Sequence, residues 1–195
     1  MAKKRESSSD LKDQILETTE VLLRRYGASK LSVVDVAREI GMSHGNVYRF
    51  FPSKTDLLNA IAAKWLEKVH VPLGEISICD LAADQKLKLW FETLIKIKRK
   101  KFLEDPQLFA VYLELAGHQL EQVNNHVDTL VTQIEKIIEE GKQTGMFSVL
   151  DTRKAATNLF HATATLHHPV FVSSPYYPAE EEVIELLNFL IRALS

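Results

Sequence analysis

Two short motifs and the residues between them determine the local architecture of residues 31–58. Ser32-Val-Val-Asp35 and Ser53-Lys-Thr-Asp56 each place a serine three residues before an aspartate, a variant of the capping box that opens a helix. Gly41 lies where the first of these helices would end, and Pro52 closes the helix that follows. The segment therefore predicts two short helices joined by a tight turn, and then the start of a longer helix.

The rest of the sequence also predicts helices. Apolar residues recur at helical spacing, and sustained alternation of the kind typical of strands is missing from the sequence. Residues 71–83 are the weakest helical stretch, and we interpret them as the connection between two domains, 1–70 and 71–195. We expect an all-α protein of about nine helices. Beyond the segment above, the predicted helices are 10–26, 84–103, 106–118, 121–141, 151–172 and 179–194.

Composition and charge limit the classes to which the chain can belong. Of 195 residues, 46% are hydrophobic and 26% are charged, which is typical of globular proteins. The sequence shows no membrane span, no signal-peptide pattern and only one cysteine, so we expect a cytoplasmic protein. The net charge is −2, but residues 1–70 carry twelve Lys and Arg against nine Asp and Glu. This uneven division favours an anion-binding function for the first part of the chain.

The two short helices form a helix-turn-helix pattern, whose second helix can enter the major groove of DNA. At 100° per residue, Val47 and Phe51 face inward on that second helix, whereas its polar residues face outward. Gly45 has no side chain and would allow the helix backbone to approach the groove closely. The predicted base or phosphate contacts are His44, Asn46 and Arg49, with Ser43, Tyr48 and Lys54 near flanking phosphates and Val34 near a thymine methyl group.

The segment Leu31–Leu58 resembles the DNA-binding core of the tetracycline-repressor (TetR) family of bacterial transcription regulators. The resemblance covers residues from about 11 to 60 and includes a leading helix that ends in Tyr-Gly. The remaining matches are Ser32-x-x-Asp35-Val-Ala, Ile40-Gly41 and Val47-Tyr48-x-Phe50-Phe51-x-Ser53-Lys54-x-x-Leu57-Leu58.

The resemblance implies roles for individual residues and partners for the whole chain. Ser32, Tyr48 and Lys54 match positions that usually hold phosphates in the family, and the first turn of the second short helix matches the part that reads bases. Arg49 matches a position often filled by an aromatic or a basic residue. The implied protein is a homodimeric repressor that binds double-stranded DNA at a near-palindromic operator and is released by a small-molecule effector.

Aromatic residues on two of the middle helices are candidates for an effector pocket. Side chains that converge from several helices can line a site for an apolar or flat ligand, although for any one of them plain core packing is the more common role. The resemblance places a small-molecule site among these helices without naming the ligand. The candidates are Trp90, Leu94, Phe102, Phe109, Tyr112 and Leu113.

The last two predicted helices are the candidate dimer interface. Each carries an apolar stripe, and pairing both with their copies would form the four-helix bundle that the resemblance implies. Burial within one protomer is the alternative interpretation. The candidate residues are Phe160, Ala164 and His168 on the first helix and Leu186, Phe189 and Leu190 on the second.

Other clusters give weaker indications. The run Lys96–Lys101 favours a solvated helix end, because positive charge is favourable in the last turn of a helix. Adjacent histidines such as His167 and His168 point about 100° apart on a helix, which disfavours a shared metal, so we predict neither a metal nor a cofactor.

Two alternatives remain open. A helical-bundle metalloenzyme would need two Glu-x-x-His motifs, but Glu114 is four residues before His118 and Glu121 is five before His126. The sequence also has no nucleophile elbow or phosphate-binding loop, so we predict no enzymatic activity. The second alternative is a DNA-binding regulator, or a DNA-organising protein, that senses no ligand.

Overall fold

The computed structural model describes residues 8–117 and 121–195, and within these ranges it contains helices and no strands. The prediction of an all-α fold is therefore confirmed. None of the helices in these ranges is both long and apolar enough to cross a bilayer. The eleven helices of the described residues are α1 (Ser8–Lys30), α2 (Val33–Ile40), α3 (His44–Phe50), α4 (Lys54–Ser77), α5 (Ala83–Glu104), α6 (Pro106–Gly117), α7 (Glu121–Gln143), α8 (Thr152–Ala162), α9 (Ala164–His167), α10 (Pro169–Val172) and α11 (Glu180–Arg192).

The helices belong to two compact units. The first comprises the described residues of Met1–Trp65 and Gln107–Val123, and the second comprises Leu66–Pro106 and Asn124–Ser195. In the first unit, α2 packs against both α1 and α3. In the second unit, α5 packs against α9, α10 and α11, and α9 also contacts α8 and α10. The fully buried side chains include Ile15, Leu23, Val36, Val47 and Leu57 in the first unit, and Leu87, Trp90, Phe91, Leu94, Leu130, Ile134 and Ile137 in the second.

Both predicted capping boxes form the bond from the aspartate N–H to the serine, but each carboxylate accepts from the serine hydroxyl and not from the serine backbone N–H. The Ser32 hydroxyl oxygen accepts a hydrogen bond from the Asp35 backbone N–H at 3.1 Å, and the Ser53 hydroxyl oxygen accepts one from Asp56 at the same distance. Each hydroxyl also donates to the carboxylate of its aspartate. Gly41 ends α2 in the left-handed conformation (φ 75°), where a side chain would be strained. These local interactions fix the turn between α2 and α3.

The end of α4 differs from the prediction. We expected this helix to end near residue 70, but it continues through Pro72 to Ser77. Pro72 lacks the N–H of one helical hydrogen bond, which normally disfavours an interior position. Val69 and Leu73 on either side of it are 1% and 0% exposed, and Ser77 is also buried. Burial of Val69, Leu73 and Ser77 outweighs the unfavourable effect of a proline inside the helix. Residues 71–77, which we interpreted as part of a connection between domains, are therefore helical.

The helix predicted over 151–172 is in fact three helices, which accounts for the helix count exceeding nine. The Thr163 hydroxyl donates to the carbonyls of Leu159 and Phe160, at 2.9 and 3.0 Å, beside the first break. Proline disfavours helical backbone in the residue before it, and His168, which precedes Pro169, is extended at φ −70° and ψ 133°. Phe160, Ala164 and His168, which we predicted on one helix, consequently lie on α8, on α9 and between α9 and α10.

Close packing between α5, α7 and the segment after α7 leaves no space for a side chain at Gly141. A Cβ atom there would overlap the ring of Phe147, which is 3% exposed, and would lie 3.0 Å from the Cβ of Ala83. We expect Gly141→Ala to lower the free energy of unfolding by about 1–2 kcal/mol, because overpacking outweighs the better helix propensity of alanine. Chemical denaturation measures this change. An unchanged or increased stability would show that Phe147 can move aside.

Candidate functional site

The exposed surface of α3 is the candidate nucleic-acid interface. Val47 is 0% exposed and is the only buried side chain of α3, while Phe51, the residue after the helix, is 3% exposed. The inward orientation predicted for these two residues is confirmed. None of the nine predicted DNA-contacting residues is buried. Val34, Ser43, His44, Gly45, Asn46, Tyr48 and Arg49 are exposed, and Ser32 and Lys54 are half-buried.

Contacts within the helix-turn-helix orient several of these side chains. The guanidinium of Arg49 lies 5.2 Å from the centroid of the Phe50 ring, a cation–π arrangement that leaves its N–H groups available. The rings of His44 and Tyr48 meet edge to face with centroids 6.3 Å apart. Ser43 precedes α3 as its N-cap residue, but its hydroxyl makes no capping hydrogen bond. The exposed polar side chains therefore lie on a short helix, and contacts with other residues of that helix orient Arg49, His44 and Tyr48.

Lys54 is held at the start of α4. Its ammonium donates a hydrogen bond to the backbone carbonyl of Ser29 at 3.1 Å. A lysine ammonium has three donors, so this bond leaves two for another acceptor. The side chain is thus positioned beside the helix-turn-helix rather than extended into solvent, a contact that the sequence motif alone did not predict.

The residues predicted for an effector pocket fall in both units. In the second unit Trp90 and Leu94 are buried and Phe102 is half-buried, and the Trp90 indole N–H donates to the Gln133 side chain at 3.0 Å. In the first unit Phe109 is buried and Leu113 is half-buried. The side chain of Tyr112 lies outside the described residues. Their role in ligand binding stays a prediction.

The residues predicted for the dimer interface differ widely in exposure. Phe189 on α11 is 63% exposed, and Leu186 and Leu190 on the same helix are half-buried. Phe160 is 8% exposed and packs against the His167 ring with centroids 4.5 Å apart. Ala164 is half-buried, and the exposed His168 accepts a hydrogen bond from the backbone N–H of residue 170. The face of α11 is therefore the more accessible part of the predicted interface.

Comparisons with known families fit this geometry. Residues 15–61 match the model of the bacterial regulatory proteins of the tetR family, and residues 83–185 match the tetracyclin repressor-like C-terminal domain. The second match alone covers more than half of the chain. The chain belongs to the TetR family. It is a DNA-binding transcriptional regulator, and the resemblance seen in residues 31–58 is confirmed.

Relatives of this TetR-family chain are distant in sequence. It is 24% identical to the nucleoid occlusion factor SlmA of Vibrio atlanticus over 177 residues, covering 86% of this chain and 84% of that protein. A putative transcriptional regulator from Pseudomonas aeruginosa superposes with a TM-score of 0.75 at 20% identity, covering 97% and 92% of the two chains. FadR from Bacillus subtilis, in complex with stearoyl-CoA, gives 0.66 at 23% identity, covering 93% and 96%. These two structural likenesses establish a shared fold.

Buried basic residues in the second unit of this regulator were missed by the sequence analysis. Lys98, His126 and His167 are each 5% exposed. We expected Lys98 to lie in a solvated helix end, and that expectation is wrong because it faces the core of its unit. A signal was present in the sequence, since Lys98 continues the four- and three-residue spacing of Leu87, Phe91 and Leu94. Across residues 8–117 and 121–195, no three His, Cys, Asp or Glu side chains are grouped as metal ligands would be.

Gly45 offers a test of the DNA-facing surface that separates folding from binding. A Cβ at Gly45 would meet no atom within 4 Å. We therefore expect Gly45→Ala to raise the free energy of unfolding by up to about 1 kcal/mol, since alanine is the better helix former. If this position lies against DNA, the same methyl group lowers operator affinity by roughly tenfold, or about 1.4 kcal/mol. Denaturation and fluorescence anisotropy measure the two effects, and a stable variant with unchanged DNA affinity would exclude close approach at Gly45.

Acidification is expected to destabilise the folded chain through two histidines. Burial lowers the pKa of His126 to about 2 and that of His167 to about 4, from the ordinary 6.5. The unfolded chain then binds protons below pH 6.5 that the folded chain does not bind. Stability is retained above pH 6.5 and falls below it by about 1.4 kcal/mol per pH unit for each histidine. The charged or titratable groups that act on the two rings are Lys98, His70, His161 and His168.

Chemical denaturation at pH 7, 6 and 5 measures the slope of the free energy of unfolding against pH. Replacing one buried ring by a phenyl group, as in His126→Phe, should reduce the slope by about half. The exposed His161 provides a matched control, because His161→Gln should leave most of the slope in place. A stability that stays constant from pH 7 to pH 5 would contradict the assignment of neutral, buried histidines.

Proposed function

We propose that this TetR-family regulator binds a near-palindromic operator as a homodimer and represses transcription until a small-molecule effector releases it. The observation that carries the proposal is α3 itself, a short helix with one buried residue and an otherwise accessible surface. We assign DNA binding to residues 1–70 and effector binding and dimerisation to residues 71–195. A recognition helix this short covers only a few base pairs, which favours two copies on two half-sites.

Within the DNA-binding surface we assign separate roles to two groups of residues. Asn46 and His44 carry donors and acceptors that match base edges in the major groove, and Val34 can contact a thymine methyl group. The restrained ammonium of Lys54 and the hydroxyl groups of Ser32, Ser43 and Tyr48 suit phosphates, which position a protein without reading sequence. Arg49 can serve either role.

Two alanine variants test this division. Lys54→Ala should weaken binding to all duplexes by a similar factor and reduce the slope of log affinity against log salt by about one. Asn46→Ala should instead change the preferred base at one position of each half-site, with a loss of about 1–3 kcal/mol on the original operator. Selection from randomised duplexes identifies the operator, and fluorescence anisotropy at several salt concentrations measures both variants. Recovery of an asymmetric site, or of no site, would contradict binding by a symmetric homodimer.

The exposed apolar face of α11 supports the homodimer. Phe189 and Leu190 follow Leu186 by three and four residues on one face of this helix, and a second copy of the same face would remove them from water. Small residues on α8, such as Ala162, are also exposed and permit close approach of helices.

We expect Phe189→Lys to dissociate the dimer at micromolar concentration and to reduce operator affinity, with little effect on the fold of each protomer, because the Phe189 side chain is 63% exposed. Sedimentation velocity measures the mass. Tyr176→Lys is the matched control, since Tyr176 is 92% exposed and lies outside the predicted interface. A wild-type protein that sediments as a monomer, or a Phe189 variant that remains a dimer, would contradict this interface.

A ligand can release DNA only if it binds the two conformations of a regulator with different affinities. The structural neighbour FadR of Bacillus subtilis was solved in complex with stearoyl-CoA, which illustrates that this fold accommodates small molecules. We propose that an effector of this chain binds within the second unit and lowers DNA affinity through such a differential effect.

A DNA-organising function without any ligand is the second candidate. It is favoured by the similarity to the nucleoid occlusion factor SlmA, which extends over 84% of that protein. Genome-wide mapping of the bound sites distinguishes the candidates. A few sites within promoters, released by a metabolite, support the repressor, whereas many sites spread along the chromosome and insensitive to metabolites support the DNA-organising protein.

A further inference from the structure

A cleft opens in the second unit between α5 and the segment that leads into α11. Its volume is about 660 Å³, which lies within the range of small-molecule sites. The two helices pack against each other and belong to the same unit. Three apolar side chains line the cleft, of which Ile95 and Val183 are each 8% exposed and Ile184 is half-buried. The cleft therefore offers an apolar surface to a ligand.

A positioned guanidinium lies at one end of the cleft. The Cζ atom of Arg99 is 3.9 Å from the centroid of the Tyr177 ring, and both residues line the cleft. The Tyr177 hydroxyl donates a hydrogen bond to the Leu166 backbone carbonyl at 2.8 Å, which holds the ring in place. Stacking on an aromatic ring is favourable for arginine and limits the motion of its guanidinium. The cation is thus oriented before any ligand binds.

The guanidinium of Arg99 is incompletely paired. Its Nη1 atom is buried and has no hydrogen-bond partner within the part of the chain that the structure describes. Buried donors in native proteins are nearly always paired, because an unpaired one is costly. A rotation of the guanidinium in its own plane keeps the stacking on Tyr177 and can turn this nitrogen toward an acceptor in the cleft. A ligand that carries an acceptor can therefore remove an unfavourable feature of the unliganded protein.

Opposite charges lie at the two ends of the cleft. Lys96 is one turn before Arg99 on α5, and Glu180 begins α11 three residues after Tyr177, so two cations and one carboxylate surround the first end. Glu92 lies about two turns before Arg99 on the same helix and carries a negative charge at the second end. The cleft as a whole is neutral, but it is positive at one end and negative at the other.

The four charged side chains of the cleft are not used in ion pairs with residues 8–117 or 121–195. This holds even for Glu92 and Lys96, whose spacing of four residues favours a pair. On the same helix, Lys100 does pair with Glu104 at this spacing, with 3.7 Å between Nζ and Oε1. The charges of the cleft therefore remain available to a ligand.

We propose that this cleft binds a short apolar peptide with free termini. Glu92 and Arg99 are seven residues apart on α5, which corresponds to roughly 10 Å along the helix axis. An extended chain spans at most ~3.3–3.6 Å per residue, so about three residues bridge this distance.

Each part of such a peptide has a counterpart in the cleft. Its carboxylate accepts hydrogen bonds from Arg99, its ammonium lies at Glu92, and its apolar side chains cover Ile95 and Val183. A simple anion would leave Glu92 without a partner, and a single amino acid is too short to reach both ends. Binding of the peptide does not depend on the proposed recognition of an operator.

Calorimetry on the full-length protein tests the proposal with the tripeptides Ala-Leu-Ala and Ala-Phe-Ala. Each is used with free termini, with an acetylated amino end and with an amidated carboxyl end. We expect at least one free tripeptide to bind and to lose about tenfold in affinity when either terminus is blocked, because each block removes a charged hydrogen bond. Free leucine and phenylalanine should bind more weakly than the tripeptides.

Two variants show which end of the cleft holds which terminus. Arg99→Met removes the guanidinium and keeps an unbranched side chain, and should lower the affinity for the free peptide by about tenfold while nearly preserving that for the amidated peptide. Glu92→Gln should lower the affinity for the free peptide but not for the acetylated one, and is an independent test if Arg99→Met fails to fold. Lys100→Met is the matched control, because Lys100 is an exposed cation of α5 outside the cleft.

Three results would overturn the proposal. The first is that neither tripeptide binds at millimolar concentration, or that blocking a terminus leaves the affinity unchanged. The second is that the folded Arg99 and Glu92 variants lose affinity equally for free and blocked peptides, which would show a general effect on the cleft. The third is that octanoate or a free amino acid binds more tightly than the tripeptides, which would assign the cleft to another class of ligand.

Discussion

The burial of one side chain, Val47, orients the exposed surface of α3, the candidate DNA interface. A helix of seven residues cannot be stable in isolation, so α3 depends on packing against its neighbours. Val47 and the adjoining Phe51 supply this packing, and Gly41 directs the chain into α3 at a fixed angle. With its remaining residues accessible, α3 can place several side chains against a ligand as large as DNA. The net acidity of the chain does not oppose this, because residues 1–70 carry twelve Lys and Arg against nine Asp and Glu.

Local sequence determined the parts of the fold that could be predicted. The serine caps at Ser32 and Ser53 and the turn at Gly41 depend only on residues three or four positions apart, and each is present in the structure. The inward orientation of Val47 followed from helical spacing. The family resemblance covered the same segment, and its implied fold was confirmed by the match of residues 83–185 to a TetR C-terminal domain.

Predictions failed where distant residues or a neglected local rule decided the outcome. Pro72 lies inside α4 because Val69 and Leu73 are buried by residues far away in sequence, and no local pattern reveals this. Pro169, by contrast, predicts a break at His168 from its own backbone chemistry, and the break was available from the sequence. Lys98 was predicted to be solvated because four of the other five residues of the run 96–101 are basic, but its position in the apolar stripe decides its burial. The DNA-contacting residues themselves stay predictions, since exposure shows accessibility and not contact.

The buried histidines of the second unit make the stability of the fold depend on pH. Unsatisfied nitrogens destabilise the conformation that encloses them, and a ring that stays neutral in the folded chain lets the unfolded chain bind an extra proton below pH 6.5. Regulation by a ligand has a separate requirement, because a ligand with equal affinity for the DNA-bound and released conformations would shift neither population. An effector of this chain can therefore regulate DNA binding only through contacts that differ between the two conformations.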